Sequence, residues 1–148
     1  MSSMKVYSIG FAGKSAEEFF YALRHEGIKK LVDVRLSNTS QLAGFTKSRD
    51  LAFFLREICG TEFVHELALA PSKELFDDFR HNRITWKQLE PSYIELLRDR
   101  RVEATLDRSL IQGPAVFLCS EASPTKCHRR LALEYLRDRW GGFEIVHL

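Results

Sequence analysis

Apolar residues occur in five short runs, separated by segments whose apolar positions repeat with the helical period. The runs predict β-strands at 5–9, 31–34, 62–65, 115–119 and 143–147. Strands that alternate with helices form parallel sheets, because each right-handed crossover carries a helix across one face. The pattern therefore predicts a single α/β domain over residues 1–148. Its sheet is expected to be open, doubly wound, largely parallel and five-stranded, with helices on both faces.

The most apolar run, 115–119, follows the turn signal Gly113-Pro114 and predicts a strand buried on both faces. We place this strand beside the first strand at the centre of the sheet, with the second and third strands outward from the first. The topological switch point of the sheet, where the connections leave in opposite directions, is then expected between Gly10 and residues 119–121. Ligands of open α/β sheets bind at such a point, beyond the carboxyl ends of the strands.

Helix boundaries are marked by capping residues. Ser15 and Thr85 each begin a capping box, with Glu or Gln three residues later. Ser123-Pro124 predicts the start of the helix that follows the central strand. Pro91 predicts that another helix restarts at this position.

Composition restricts the class of protein. The chain has 148 residues, of which 45% are hydrophobic, so it can bury a core. No apolar run approaches the roughly 20 residues that span a bilayer, and no signal peptide is recognisable, so we expect a cytoplasmic protein with no membrane partner. Three cysteines are an odd number and do not suggest a disulfide framework. The net charge of +2 is too small to indicate nucleic-acid binding by itself.

The polar segment after the central strand contains the residue types that carry chemistry. Glu121 is the best candidate for a general acid or base, with partial burial expected to raise its pKa, and His128 is the alternative proton carrier. Cys127 is either a nucleophile activated by its basic neighbours or a small buried residue. Lys126 and Arg129 are expected to bind an anion near a helix N-terminus. A structural ion pair between Glu121 and Arg129 is the competing interpretation.

Two further chain segments are expected at the same edge of the sheet. Asp33 and Arg35 lie at the end of the second strand, and Gly10 ends the first. We predict that all three contribute to the anion site. The alternative for Asp33 is a salt bridge to Arg35 or Arg129, because an unpaired buried carboxylate is costly.

Three familiar site patterns are incomplete. The segment Gly10–Ser15 ends like a phosphate-binding P-loop, but Ser8 stands where the pattern needs its first glycine. The phosphatase pattern of Cys, five residues and Arg fails after Cys119. Cys119 and Cys127 are eight residues apart, without a Cys-x-x-Cys pair, so we predict no metal and no cofactor.

Several of these segments together resemble a known family. Leu118-Cys119-Ser120-Glu121 followed by Cys127-His128-Arg129 is similar to the signature of the domain of unknown function 488. Ile9-Gly10, Asp33-Val34-Arg35 and a Ser-rich loop from Ser40 to Phe45 match further features of that family in order. The resemblance implies a small prokaryotic α/β domain and marks four signature positions, at 121 and 127–129, without roles. The loop here lacks the Pro and extra Arg that many members carry.

Three hypotheses of function follow. The leading one is a small enzyme, a hydrolase or transferase, that acts on an anionic, phosphate-bearing or nucleotide-like substrate at the rim of the sheet. The second is a nucleic-acid-associated module that uses Trp86, Tyr93 and the arginines at 98, 100 and 101. The third is a non-catalytic scaffold whose signature residues only stabilise the sheet. A small anionic ligand is the expected partner under the first hypothesis, and the sequence predicts no oligomeric state.

Overall fold

The protein contains one parallel five-stranded sheet. The computed structural model describes residues 4–38, 44–121 and 123–148. The strands are β1 (Met4–Gly10), β2 (Lys30–Asp33), β3 (Glu62–His65), β4 (Ala115–Cys119) and β5 (Phe143–His147). All four strand pairings are parallel. The predicted α/β fold is therefore confirmed.

The strand order is β3-β2-β4-β1-β5, so the predicted order is partly wrong. β4 and β1 are neighbours near the centre, as predicted. The second strand, however, pairs with β4 and not with β1, and β3 lies beyond it. β4 is buried at every position and takes the middle of the sheet, which separates β1 from β2. The ends of β2 and β4 consequently lie side by side, with Asp33 opposite Leu118.

Six α-helices connect the strands in the described part of the chain. They are α1 (Ala16–His25), α2 (Ser48–Phe54), α3 (Lys73–Arg80), α4 (Trp86–Arg100), α5 (Val102–Thr105) and α6 (His128–Trp140). A π-helical turn continues α2 over Leu55–Cys59, and short 3-10 turns occur at Gly44–Thr46, Leu67–Leu69 and Arg108–Ile111. None of the described helices is both long and apolar enough to span a bilayer.

The two capping boxes form as predicted, at Ser15 and at Thr85. The helix predicted to restart at Pro91 does not exist separately, because α4 runs through this residue. The capping box begins the helix upstream, and Leu89 and Tyr93 are buried on either side of the proline. These contacts hold the helix together despite the backbone hydrogen bond that a proline removes.

The helix after β4 begins later than predicted. α6 starts at His128 with Cys127 as its N-cap, whereas Ser123-Pro124 lies in a turn. The Ser123 hydroxyl accepts a hydrogen bond from the Thr125 N–H (3.3 Å) and so caps this turn instead of the helix. Cys127, the N-cap of α6, lies near the end of β4, with its Cα 7.5 Å from that of Cys119.

Both faces of the sheet carry a hydrophobic core. Val116 and Leu118 of β4 point into the core beneath α1 and α2. Phe117 and Cys119 point into the opposite core, which α4, α5 and α6 cover. Side chains of one strand thus alternate between two cores, which fixes the register of β4.

Candidate functional site

A cavity of about 400 Å³ opens at the carboxyl ends of β2 and β4. Five of the predicted site residues line it, namely Arg35, Glu121, Lys126, Cys127 and His128. The other three, Gly10, Asp33 and Arg129, lie outside its wall. The opposite wall comes from α3 and α4 and is largely aromatic, with Phe76, Phe79 and Trp86. The cavity therefore has a polar side on the sheet and an apolar side on the helices.

The Asp33–Arg35 pair forms the base of the polar side. Arg35 donates Nε to one Asp33 carboxylate oxygen (2.9 Å) and Nη2 to the other (2.7 Å). Both side chains are almost completely buried, and Asn38 donates a further hydrogen bond to the carboxylate (3.1 Å). The salt-bridge interpretation of Asp33 is confirmed. A fork of this kind fixes the guanidinium in one plane.

Arg35 is held from three more directions. Its Nη2 also donates to the Thr46 carbonyl (2.7 Å), and its guanidinium lies 5.4 Å from the centre of the Phe11 ring. His65 donates a ring N–H to the Arg35 carbonyl (2.7 Å). Nη1 is buried without a hydrogen-bond partner in the part of the chain that the structure describes. The Ser-rich loop predicted to follow Arg35 includes positions 39–43, which lie outside the described residues.

Arg129 is fully buried behind the cavity. It donates Nε to the Ser8 hydroxyl (3.1 Å) and Nη1 to the Glu121 backbone carbonyl (2.6 Å) and to the Cys119 sulfur (3.4 Å). The predicted ion pair with the Glu121 carboxylate is therefore replaced by a bond to that residue's main chain. Burial lowers the pKa of Arg129 to about 10, and the nearby Glu121 charge opposes this change. The guanidinium is still charged at neutral pH.

Gly10 permits this arrangement. A Cβ atom at Gly10 would lie 1.6 Å from the Glu121 carbonyl oxygen and 3.1 Å from Nη1 of Arg129. Real Cβ atoms do not approach backbone atoms so closely, so only glycine allows the segment after β4 to cross the end of β1. Gly10 thus supports the site through close backbone contact and does not line the cavity.

His128 is held as a neutral imidazole. Its Nε2 donates a hydrogen bond to the Val34 carbonyl (2.7 Å), and its ring packs edge-on against Tyr93 at 5.6 Å. Burial is the main cause that lowers the pKa of His128, and the charge of Arg129 adds to it, while the Val34 bond acts in the opposite direction. Because Nε2 carries the proton, Nδ1 holds a free lone pair that can accept a proton or bind an ion.

Cys119 and Cys127 are joined by a disulfide, with a Cα–Cα distance of 7.5 Å. The expectation that the cysteines form no disulfide is wrong for this pair. The physical reason is the fold of the intervening segment, which brings the N-cap of α6 back to the end of β4. Cys119 is buried as predicted, and so is Cys127. A nucleophilic role for Cys127 would require the bond to be reduced first.

The remaining charged residues of the wall are exposed. Glu121 is exposed and not partly buried as predicted, and Lys126 is exposed as well. Arg80, at the end of α3, adds a cation that the sequence analysis did not weigh. Within the described residues, the side chains of these three residues form no ion pair and no hydrogen bond with one another. They are therefore available to a ligand from the solvent side.

A second polar cluster escaped the sequence analysis. The Ser8 hydroxyl, which accepts the bond from Arg129, also contacts Nδ1 of His147 at the end of β5. The His147 side chain is exposed, but partial desolvation of its ring, followed by the charge of Arg129, lowers its pKa. Ser8 and His147 are 139 positions apart, so no local pattern could reveal the contact. Strand pairing between β1 and β5 brings them together.

Comparison with known proteins identifies the family. The model of the family described as "Domain of unknown function DUF488" matches residues 15–136. This range covers most of the chain and includes the cavity-lining residues, and the chain belongs to this family. The resemblance predicted from the Cys-His-Arg signature is thus confirmed. Comparisons with curated proteins and with solved structures give no match.

Proposed function

We propose that this member of the DUF488 family is a small enzyme that acts on an anionic, nucleotide-like molecule bound in the cavity. The observation that carries the proposal is the composition of the cavity wall. Exposed cations, Arg80 and Lys126, face the open space, and Arg35 lies in the wall between them and the sheet. Cations of this kind bind phosphate groups through charged hydrogen bonds.

The aromatic wall supports a ring system as the other half of the ligand. Phe79 and Trp86 pack edge-on at 5.9 Å, and Phe76 is exposed beside them. Aromatic side chains stack on the faces of bases, at about 1–3 kcal/mol per base. A cavity of about 400 Å³ is within the range of small-molecule sites. A flat ring against the aromatic residues of α3 and α4, with its phosphate near Lys126 and Arg80, fits the composition of this wall.

Proton transfer is assigned to two residues. Nδ1 of His128 has a free lone pair in the tautomer that the Val34 carbonyl selects. The Glu121 carboxylate is exposed in the wall on the other side of the same strand end. These groups are suited to remove a proton from water or a substrate hydroxyl and to return it to a leaving group, as in a hydrolase or transferase.

The nucleic-acid hypothesis has less support. Tyr93 is fully buried and donates its hydroxyl to the Leu69 carbonyl (2.6 Å), so it offers no stacking surface. Arg98 pairs with Glu95, and Arg100 donates to backbone carbonyls at 67, 68 and 70. Three of the five residues on which that hypothesis depended therefore have partners within the fold.

Isothermal titration calorimetry with nucleoside mono-, di- and triphosphates and inorganic phosphate tests the binding step. Arg80→Ala and Lys126→Ala should each weaken binding by about tenfold, or roughly 1.5 kcal/mol for a charged hydrogen bond. Lys87→Ala is the matched control, since Lys87 is an exposed lysine of α4 outside the cavity. Equal losses in all three variants, or no binding by the wild type, would contradict the proposal.

Catalysis is tested separately from binding. The tightest-binding nucleotide is incubated with the protein, and products are separated by ion-exchange chromatography. Glu121→Gln should leave the dissociation constant nearly unchanged and abolish turnover, because it keeps the shape of the side chain but cannot transfer the proton. Turnover that is unaffected in Glu121→Gln and His128→Gln would exclude the assigned roles.

A further inference from the structure

Two sulfurs and an imidazole meet in the wall of the cavity. The Sγ atoms of Cys119 and Cys127 and a ring nitrogen of His128 all lie within 4.8 Å of one another. We propose that these three residues bind a thiophilic divalent cation such as Zn²⁺ when the cysteine pair is reduced. Anion binding by Arg80 and Lys126 does not depend on these three residues. The metal-bound form occupies Nδ1 of His128, so it is an alternative to the form in which this atom transfers a proton.

Reduction and metal binding are separate steps. A thiol reductant supplies two electrons and two protons to the Cys119–Cys127 bond and is itself oxidised to a disulfide, which leaves two thiols. The ion then replaces one proton on each sulfur, and both protons pass to the solvent. Zn²⁺ carries no redox chemistry, so the metal-bound and disulfide forms are alternative states of one pair.

The hydrogen bond of His128 has the arrangement found in metal sites. A histidine that binds a metal usually donates its other ring N–H to a carboxylate or a backbone carbonyl, which fixes both tautomer and ring plane. Here Nε2 donates to the Val34 carbonyl at 2.7 Å. Nδ1 is left as the coordinating atom, in a ring that Tyr93 holds from the side.

The surroundings of both sulfurs stabilise negative charge. Cys127 is the N-cap of α6, a helix of 13 residues, so free backbone N–H groups and the helix dipole favour a thiolate there. Nη1 of Arg129 lies 3.4 Å from the Cys119 sulfur and acts as a donor to it. Metal ions bind cysteine as the thiolate, so both contacts favour the form that coordinates.

The backbone spacing agrees with an ion between the sulfurs. The Cα atoms of Cys119 and Cys127 are 7.5 Å apart, which is more than the roughly 4.4–6.8 Å usual for a disulfide-linked pair. Two thiolates that each bond to Zn²⁺ at about 2.3 Å are farther apart than two bonded sulfurs. Three protein ligands leave a fourth position, on the side where all three residues line the cavity.

Cobalt absorption tests the site on the whole chain. The protein is reduced with a phosphine under anaerobic conditions and titrated with Co²⁺, which reports thiolate coordination through a charge-transfer band. We expect one equivalent to bind, with the intense visible bands of a tetrahedral ion, and Zn²⁺ to displace it. No charge-transfer band in wild-type protein whose thiols are shown to be fully reduced would overturn the proposal. A band of equal intensity in the oxidised protein would overturn it as well.

Substitutions identify the ligands. Cys119→Ser and Cys127→Ser should each weaken Zn²⁺ binding by more than about 100-fold. Mutating a residue that only hydrogen-bonds to a metal ligand already lowers metal affinity by roughly 10–100-fold, and loss of a ligand itself should cost more. His128→Gln should keep the charge-transfer band and shift the visible bands. Cys59→Ser is the matched control, because Cys59 is the remaining cysteine and lies on the other side of the sheet. A band that is lost in Cys59→Ser and kept in Cys127→Ser would contradict the assignment.

Discussion

Two buried arginines flank the end of β4, and they are held in different ways. Arg35 has a carboxylate partner two residues away, and Nε and Nη2 each donate a hydrogen bond to Asp33. The hydrogen bonds described for Arg129 go to neutral acceptors, namely a hydroxyl, a sulfur and a backbone carbonyl. Both side chains have nearly the same exposure, at 3% and 0%. The difference therefore lies in charge and not in burial.

The two arginines therefore affect their surroundings differently, because the charge of Arg35 is balanced by Asp33, whereas the acceptors described for Arg129 are neutral. The Asp33–Arg35 pair adds little net charge to its side of the cavity, and its rigidity positions the wall. Arg129 carries its positive charge behind Cys119 and Glu121, where burial lowers its pKa to about 10. Its charge thus acts on the sulfur and on the strand end, in a region of low dielectric where such interactions are strong.

The largest expected effect comes from breaking the paired arginine. Asp33→Asn removes the charge opposite Arg35 and leaves a buried, uncompensated guanidinium. We expect a loss of about 3–5 kcal/mol in the free energy of unfolding, the usual cost of removing one partner of a buried ion pair. Urea denaturation followed by circular dichroism measures it.

The double variant Asp33→Asn/Arg35→Met is the control for this prediction. It also removes the unpaired guanidinium of Arg35, so it should recover a substantial part of the lost free energy of unfolding. A double variant as unstable as the sum of the two single variants would show that the pair acts through packing and not through charge.

The second prediction concerns the other arginine. Arg129→Met keeps much of the volume and removes the three hydrogen bonds described above, whose acceptors are neutral. We expect a smaller loss, of about 2–3 kcal/mol, because the freed acceptors are neutral. The same urea titration measures it, and a loss larger than that of Asp33→Asn would reverse the comparison between the two arginines.

The third prediction concerns the close contact that supports Arg129. In Gly10→Ala the new Cβ meets the Glu121 carbonyl, and backbone must move. Overpacking of this kind costs about 1–3 kcal/mol. Gly44→Ala is the matched control, since a Cβ there meets nothing within 4 Å. Thermal melts of the two variants should differ clearly, and equal melting temperatures would show that the chain relaxes around Gly10 without cost.

The two arginines also show how far the sequence could predict the site. Asp33 and Arg35 are neighbours on one strand end, so a local pattern could offer a salt bridge of Asp33 to Arg35 or Arg129 as the alternative to the anion site, and the pair with Arg35 is the one that forms. The contacts of Arg129 join β1, the end of β4 and α6 across as many as 121 positions. The adjacency of β1 and β4 was predicted correctly, but no local pattern shows that a helix side chain reaches Ser8 and the Glu121 carbonyl.

The same limit explains the cysteines. Cys119 and Cys127 are eight residues apart and match none of the short Cys motifs that predict a metal site. Their sulfurs meet because the start of α6 lies beside the end of β4, and local sequence does not show this. The strand pattern and the caps at Ser15 and Thr85 were predictable, since they depend on periodicity and on local hydrogen bonds. Arg80 could have been found only by knowing that α3 ends over the cavity.

The smallest expected effect is a pH dependence on the Arg129 side. Nδ1 of His147 contacts the Ser8 hydroxyl, which already accepts from Arg129. Partial desolvation of the ring and the Arg129 charge hold the pKa of His147 below its ordinary value of 6.5, and Arg130 acts in the same direction while Glu134 opposes it. Protonation would place a second cation next to a buried guanidinium, which the folded state resists.

The direction of this pH dependence follows from how many protons the folded and unfolded states bind. Below pH 6.5 the unfolded chain protonates this histidine more readily than the folded protein does, so the unfolded state gains stability as the pH falls. The contribution is complete above pH 6.5 and is lost progressively as the pH falls toward the lowered pKa of the folded state. Urea titrations between pH 7.5 and about 5 should therefore show a steeper decline in the wild type than in His147→Asn. His25→Asn serves as the matched control, because His25 is also exposed but contacts Glu26 and not the Ser8 hydroxyl. Identical slopes in wild type and His147→Asn would show that the Ser8 contact does not couple this histidine to Arg129.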